Sequence, residues 1–209
     1  SLPARTLQLD CANGCDFSGN TGLLGETLYL YDANSQYSSP PAPVAPDNKA
    51  GRLRVQRTLV DEVGGQKRYS ETGYGYDSHG NQTSQTTYPG YATAVASPAG
   101  AAFTTELEYD PLYHTYLISQ TNPLNQEISS GYDYTLGLPT SEIDANGAEV
   151  RAEYDALGRI VAVIRPGDEA ANPTLRFSYH IDSQNHLFWT EAQQRISAGV
   201  YAKVRKYYN

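Results

Sequence analysis

One short device recurs along this chain: a strand-like run ends in Tyr-Asp, and a turn follows. It stands at Tyr31-Asp32-Ala33-Asn34, Tyr76-Asp77-Ser78-His79-Gly80, Tyr109-Asp110-Pro111 and Tyr154-Asp155-Ala156-Leu157-Gly158. Variants occur at Tyr132-Asp133-Tyr134, Tyr179-His180-Ile181-Asp182 and Tyr207-Tyr208-Asn209. The aspartates at 110, 133, 155 and 182 lie 23, 22 and 27 residues apart, a length that fits one hairpin per unit. Such self-similarity restricts the fold strongly. A unit of this size cannot bury its apolar face alone and must stack on its neighbours.

The physics of the unit is clearest around Asp155. In Glu149-Val150-Arg151-Ala152-Glu153-Tyr154, Val150, Ala152 and Tyr154 point one way and the charged residues the other. That alternation is the period of a half-buried strand. Asp155 can accept a bond from the N–H two residues on, and Gly158 supplies the positive φ of a short hairpin loop with a bulge. The return strand Arg159–Ile164 is β-branched and apolar on both faces, so it is expected inside the sheet stack. Leu175, Phe177, Tyr179 and Ile181 alternate in the same way. Asp144-Ala145-Asn146-Gly147 and Asn122-Pro123-Leu124-Asn125 add turns. A hairpin is predicted around Val63-Gly64-Gly65, between Leu53–Val60 and Gln66–Tyr76.

Composition agrees. There are 18 Tyr against 4 Phe and 1 Trp, with 18 Gly and 12 Pro. Tyrosine covers half-buried pleated surface and keeps a polar handle, while Gly and Pro punctuate turns. The predicted fold class is all-β, an antiparallel meander of repeated hairpins. Residues 190–200 are the one stretch read as a short turn of helix. Ser38–Pro46, with four prolines, is read as a loop, and Pro89–Ala102 as a surface insertion between strands. Residues 1–50 form an N-terminal β/loop segment and 51–209 the repeat region. The chain opens without Met or a leader and closes on Tyr207-Tyr208-Asn209, so a piece of a longer protein is expected.

The chain carries 23 acidic against 15 basic residues, a formal charge of −8. That balance argues against nucleic acid as the partner, because phosphate binding is driven by clustered Lys and Arg. No apolar run reaches the ~18 residues of a membrane-spanning helix.

Cys11 and Cys15 have no further Cys or His nearby for zinc, which leaves a local disulfide or two free thiols. Asp144-Ala145-Asn146-Gly147 opens like a calcium loop but lacks the later carboxylates, and Asp10, Asn13, Asp16 and Asn20 form a similarly sparse set. His79, His114, His180 and His186 fit no His-Glu-x-x-His arrangement. There is no Gly-x-Ser-x-Gly elbow and no phosphate-binding Gly-Lys-Ser/Thr loop. No catalytic, cofactor-binding or metal-binding residue is assigned, no cofactor is expected, and the chain is read as not an enzyme.

The unit Glu153-Tyr154-Asp155-Ala156-Leu157-Gly158-Arg159, preceded by Ile143-Asp144-Ala145-Asn146-Gly147, resembles the YD repeat of Rhs proteins. Leu136-Gly137-Leu138-Pro139-Thr140 and Arg205-Lys206-Tyr207-Tyr208-Asn209 are similar to stretches of insecticidal toxin complex B/C components. The resemblance spans residues 51–209 and is strongest over 127–165. It implies a β-spiral shell, secreted or at the cell surface, whose partners are further repeats and an encapsulated toxin or effector polypeptide. The segment that carries the family's self-cleaving aspartates is not recognisable here, so no protease role follows. The alternative reading is a cell-surface adhesion or carbohydrate-binding module, with a surface glycan or receptor as partner. In it the Tyr-Asp pairs would stack on sugars. A motif repeated at each unit fits architecture better than a catalytic acid pair, which is needed once.

Overall fold

A computed structural model of the chain describes residues 5–9, 23–31, 51–182, 184 and 187–208. Among them all regular structure is β. The chain divides into two compact units, one of residues 1–115 with 121–124, the other of 116–120 with 125–209.

In the first unit β1 (Arg5–Leu9), β2 (Leu23–Tyr31), β3 (Leu53–Val63), β4 (Gln66–Tyr76), β5 (Gln82–Thr87) and β6 (Phe103–Tyr109) follow one another in space as in sequence. Every neighbouring pair is antiparallel. The predicted hairpin is the β3–β4 pair, turning at Gly64-Gly65. Its register sets Arg57 opposite Leu28 on one side and Glu71 on the other, so these three share a face. Leu28, Tyr69 and Ala92 form the buried core on that face, with Leu59 and Ala94 packed against it.

Ala92 corrects an expectation. The 89–102 insertion does not lie wholly on the surface, because Ala92 is 1% exposed. It exchanges two backbone hydrogen bonds with Tyr69, Tyr69 N–H to Ala92 C=O at 3.0 Å and the reverse at 2.8 Å. Ala92 thus bridges β4 beyond the stretch paired with β5, and its small side chain joins the core.

β7 (Leu117–Thr121) is divided between the units. The second unit continues with β8 (Glu127–Asp133), β9 (Leu138–Ile143), β10 (Glu149–Tyr154), β11 (Ile160–Ile164), β12 (Leu175–Asp182), β13 (Leu187–Ser197) and β14 (Val200–Tyr208), again in chain order and antiparallel. The expected helical turn at 190–200 is absent. Residues 190–197 are strand, paired with β12 as far as Gln194 and with β14 as far as Ser197, and Ala198-Gly199 turns the chain into β14. Glu191-Ala192-Gln193-Gln194-Arg195 favours helix locally. Two ladders of backbone bonds and the ion pairs of Glu191 with Arg205 and Lys203 override that preference.

The expected alternation holds, yet burial is one-sided. In β11 Ala162 and Ile164 are buried while Val161 and Val163, on the other face, are only half covered, so this strand is interior on one face alone. On the opposite, apolar side Val150 is 39% and Ile181 77% exposed.

Candidate functional site

The Tyr-Asp corners are built alike. At each of four copies the register slips by one immediately before the tyrosine, at Leu30/Tyr31, Gly75/Tyr76, Gly131/Tyr132 and Glu153/Tyr154. The unpaired extra residue lies on the following strand each time: Arg54, Thr83, Thr140 and Val161. A bulge of this kind bends the strand, increases its twist and re-aims the side chain beside it.

The aspartate then closes the turn. At Asp155, Leu157 and Arg159 N–H both donate to Oδ1 at 2.9 Å, and Arg159 Nε donates to Oδ2 at 2.7 Å. Gly158, at φ 74°, makes the left-handed step that a side chain would resist. Asp77 accepts from His79, Gly80 and Asn81 N–H, and Asp144 from Asn146 and Ala148 N–H, in the same pattern. The calcium-like opening at Asp144 is therefore such a turn, its Oδ1 already occupied by two backbone donors. Asp110 and Asp133 close a turn one residue longer, accepting from Thr115 N–H and from Thr135 and Leu136 N–H.

These bonds shift the carboxyls. The Arg159 side chain, then its N–H, holds Asp155 below the usual carboxylate range against a smaller opposing effect of burial. At Asp144 the Ala148 and Asn146 N–H groups do the same. At Asp77 burial pushes upward, but the donors from Asn81, Gly80 and His79 together outweigh it, and the carboxyl is lowered.

The tyrosines link one corner to the next. Tyr76 hydroxyl donates to Leu53 C=O at 2.9 Å, and Leu53 is the residue paired with Tyr31 across the preceding bulge. Tyr154 hydroxyl donates to Pro139 C=O at 2.8 Å, and Pro139 is paired with Tyr132. Tyr179 hydroxyl donates to Ile160 C=O at 2.9 Å, and Ile160 is paired with Tyr154. Tyr76, Tyr154 and Tyr179 thus each reach back to a carbonyl that faces an earlier corner's tyrosine. The arginine just before that acceptor lies over the ring: Arg52 over Tyr76 at 5.9 Å and Arg159 over Tyr179 at 4.3 Å, distances suited to cation–π attraction.

Sequence reading missed three parts of this site. The arginines were legible in the shared Gly51-Arg52-Leu53 and Gly158-Arg159-Ile160. The facing pair Gly-Tyr-Asp and Thr-Ser was legible too, at Gly75-Tyr76-Asp77 with Thr83-Ser84 and Gly131-Tyr132-Asp133 with Thr140-Ser141. Both glycines sit opposite those serines, where a Cβ on Gly131 would come within 2.6 Å of Ser141 Oγ and one on Gly75 would overlap Ser84 Oγ. The buried ionic cluster of the first unit left no periodic trace. Glu26 accepts from Lys67 at 2.7 Å and from Tyr69 hydroxyl at 2.9 Å, and also pairs with Arg5. Burial pushes the Glu26 carboxyl upward, but these partners hold it lowered.

Of the candidate ligands, His79 and His114 stack on each other, and His180 stacks on Trp189. Among the described residues no three of His, Cys, Asp and Glu gather as they would around a metal ion. Cys11, Cys15, Asp10, Asn13, Asp16, Asn20, Asp32, His186 and the Pro-rich loop lie outside the described residues. A shallow groove of about 470 Å³ beside the Asp155 corner is lined by Asp133, Thr140, Ser141, Glu149, Arg151, Glu153 and Tyr154.

A meander that repeats one bulge, with aspartate-closed turns beside it and tyrosine links between corners, is a β-repeat protein. Residues 132–170, which hold the corners at Asp133, Asp144 and Asp155, match the RHS Repeat family model. That stretch is thus similar to an RHS repeat, the YD repeat that the sequence resembles. No curated protein matches it. Among solved structures it is similar to a chain of the TcdB2-TccC3-Cdc42 crystal structure, at 13% identity and a TM-score of 0.29, over 81% of this chain and 12% of that one. It is also similar to TcdB2-TccC3 without its hypervariable C-terminal region, at 12% identity and a TM-score of 0.31, over 88% of this chain and 13% of that one. The chain therefore spans only 12% and 13% of the lengths of these two solved chains.

Proposed function

We propose that the chain is a wall segment of an RHS-type toxin protein, secreted or at the cell surface, and that it works by exclusion and not by catalysis. A continuous hydrogen-bonded sheet would screen an enclosed toxin or effector polypeptide from solvent and proteases. Its partners are then further repeats and that cargo. The observation that carries this reading is the recurrence of one corner at four places, each tied to its neighbour through a tyrosine hydroxyl where the link is seen. A device that secures every strand end serves the sheet, since a binding or reacting centre would be needed once. The RHS Repeat match at residues 132–170 supports the same reading.

The test is limited proteolysis of the full-length gene product, with and without the double substitution Asp155→Ala and Gly158→Val. Screening predicts that the polypeptide beyond the repeats survives protease in the parent protein and is cut in the corner-broken form. Equal digestion of that polypeptide in both, with the repeats themselves intact, would overturn the proposal.

A further inference from the structure

His114 is one of two non-glycine residues at positive φ among the described residues, at 53°. Its counterpart is visible in the second unit. His114 N–H donates to Asp110 C=O at 3.1 Å, as Gly137 N–H donates to Asp133 C=O at 2.7 Å, and Gly137 has φ 69°. Two turns of one design therefore place glycine in one copy and histidine in the other. Glycine takes that step freely and histidine at some cost, so this turn carries a ring that the Gly137 turn does without.

The imidazole stacks on His79, which stands in the turn closed by Asp77. The ring centroids are 3.7 Å apart and the planes within 10° of parallel. Asn81 joins the same two turns, its Nδ2 donating to His114 C=O at 2.7 Å and to Asp77 Oδ2 at 3.0 Å. The charged groups around the pair come from three places. Asp77 Oδ2 lies 3.8 Å from His79 Nδ1 in the first turn. Arg52, just before β3, donates to Asp77 C=O at 2.9 Å. Asp110, fully buried, closes the turn that carries His114.

We propose that His79 and His114 form an acid-sensitive clasp between successive corners of the first unit. While at most one ring is charged, the stack holds the 110–115 turn against the 77–81 turn. A second proton places like charges face to face at van der Waals distance, and Arg52 adds a third positive charge nearby. The stack then separates and the strained His114 turn opens. Histidine is the side chain whose charge changes across mildly acidic pH, so the clasp releases without general acid denaturation. This inference stands whether or not the sheet encloses a cargo.

Amide hydrogen exchange on the intact protein at about pH 7.5 and about pH 5.5, corrected for intrinsic rates, tests it. In the parent protein the amides of 79–81 and 113–115 should exchange at least several-fold faster at the lower pH, while those of 157–159 keep one rate. His79→Phe keeps a flat ring without a charge, and His114→Gly copies the Gly137 turn without strain. Either substitution should abolish the pH response. Equal protection of the parent turn at both pH values, or a response that survives either substitution, would overturn the clasp.

Discussion

Arg57 and Glu71 face each other across β3 and β4 at 2.6 Å, with side-chain exposures of 0% and 2%. The 89–102 segment completes the enclosure, for Arg57 also donates to Ala94 C=O at 3.0 Å and Ser97 Oγ at 3.3 Å. Removing one member of such a pair strands the other charge away from water. Arg57→Ala should therefore cost about 3–5 kcal/mol in denaturant unfolding, whereas Arg57→Met with Glu71→Leu should recover most of the loss. An equal loss in the double variant would mean that the packing of the segment, and not the charge, holds this region together.

The serine opposite Gly131 leaves no room for a methyl group unless it turns away, since the new Cβ would sit 2.6 Å from Ser141 Oγ. Gly131→Ala should cost about 1–2 kcal/mol despite the usual gain of alanine over glycine in a strand. Adding Ser141→Ala removes the obstructing oxygen and should restore stability to the parent level or above. A double-mutant cycle measures the coupling.

Gly158 sits at φ 74°, with Leu138 Cδ1 3.3 Å from where a Cβ would stand. Gly158→Val should lower stability by about 1–3 kcal/mol through strained backbone. Thermal unfolding that does not move would show that the Asp155 turn accepts a β-branched residue at this step.

Tyr179→Phe deletes a single hydroxyl, the donor to Ile160 C=O, and leaves the ring beneath Arg159 in place. The expected cost is about 0.5–1.5 kcal/mol, with exchange of amides 155–160 rising more than those of 64–67. A uniform rise in both hairpins would argue against a link between adjacent corners.

Asp77, Asp144 and Asp155 are all lowered in the folded chain. A depressed carboxyl contributes stability above its unfolded value, near 4, and loses that contribution as pH falls through the folded value. The melting temperature should change little from neutrality down to about pH 5 on this account and fall steeply below about pH 4. Asp155→Asn should make the acid limb shallower, as followed by circular dichroism across pH.

The sheet was legible because its rules are local. Period-two alternation marked β10 and β12, Gly64-Gly65 marked the β3–β4 hairpin, and Asp155 with Gly158 marked a turn whose bonds are those expected. The residues 190–200 were misjudged because Glu191 to Arg195 favour helix alone and become strand only through β12 and β14. The 89–102 segment was misjudged because nothing in Ala92 itself announces contact with Tyr69, a partner distant in sequence. The corner-to-corner bonds escaped for a related reason. Tyr154 reaches Pro139 only once a bulge has set the register, and an extra residue in a ladder is invisible to alternation.

The backward reach of each tyrosine has a consequence for how a run of corners matures. A newly laid hairpin lacks the bond that only the succeeding tyrosine can supply, so it frays until its successor arrives. Lengthening such a run therefore hardens what is already in place, and loosening begins where no later ring has yet engaged.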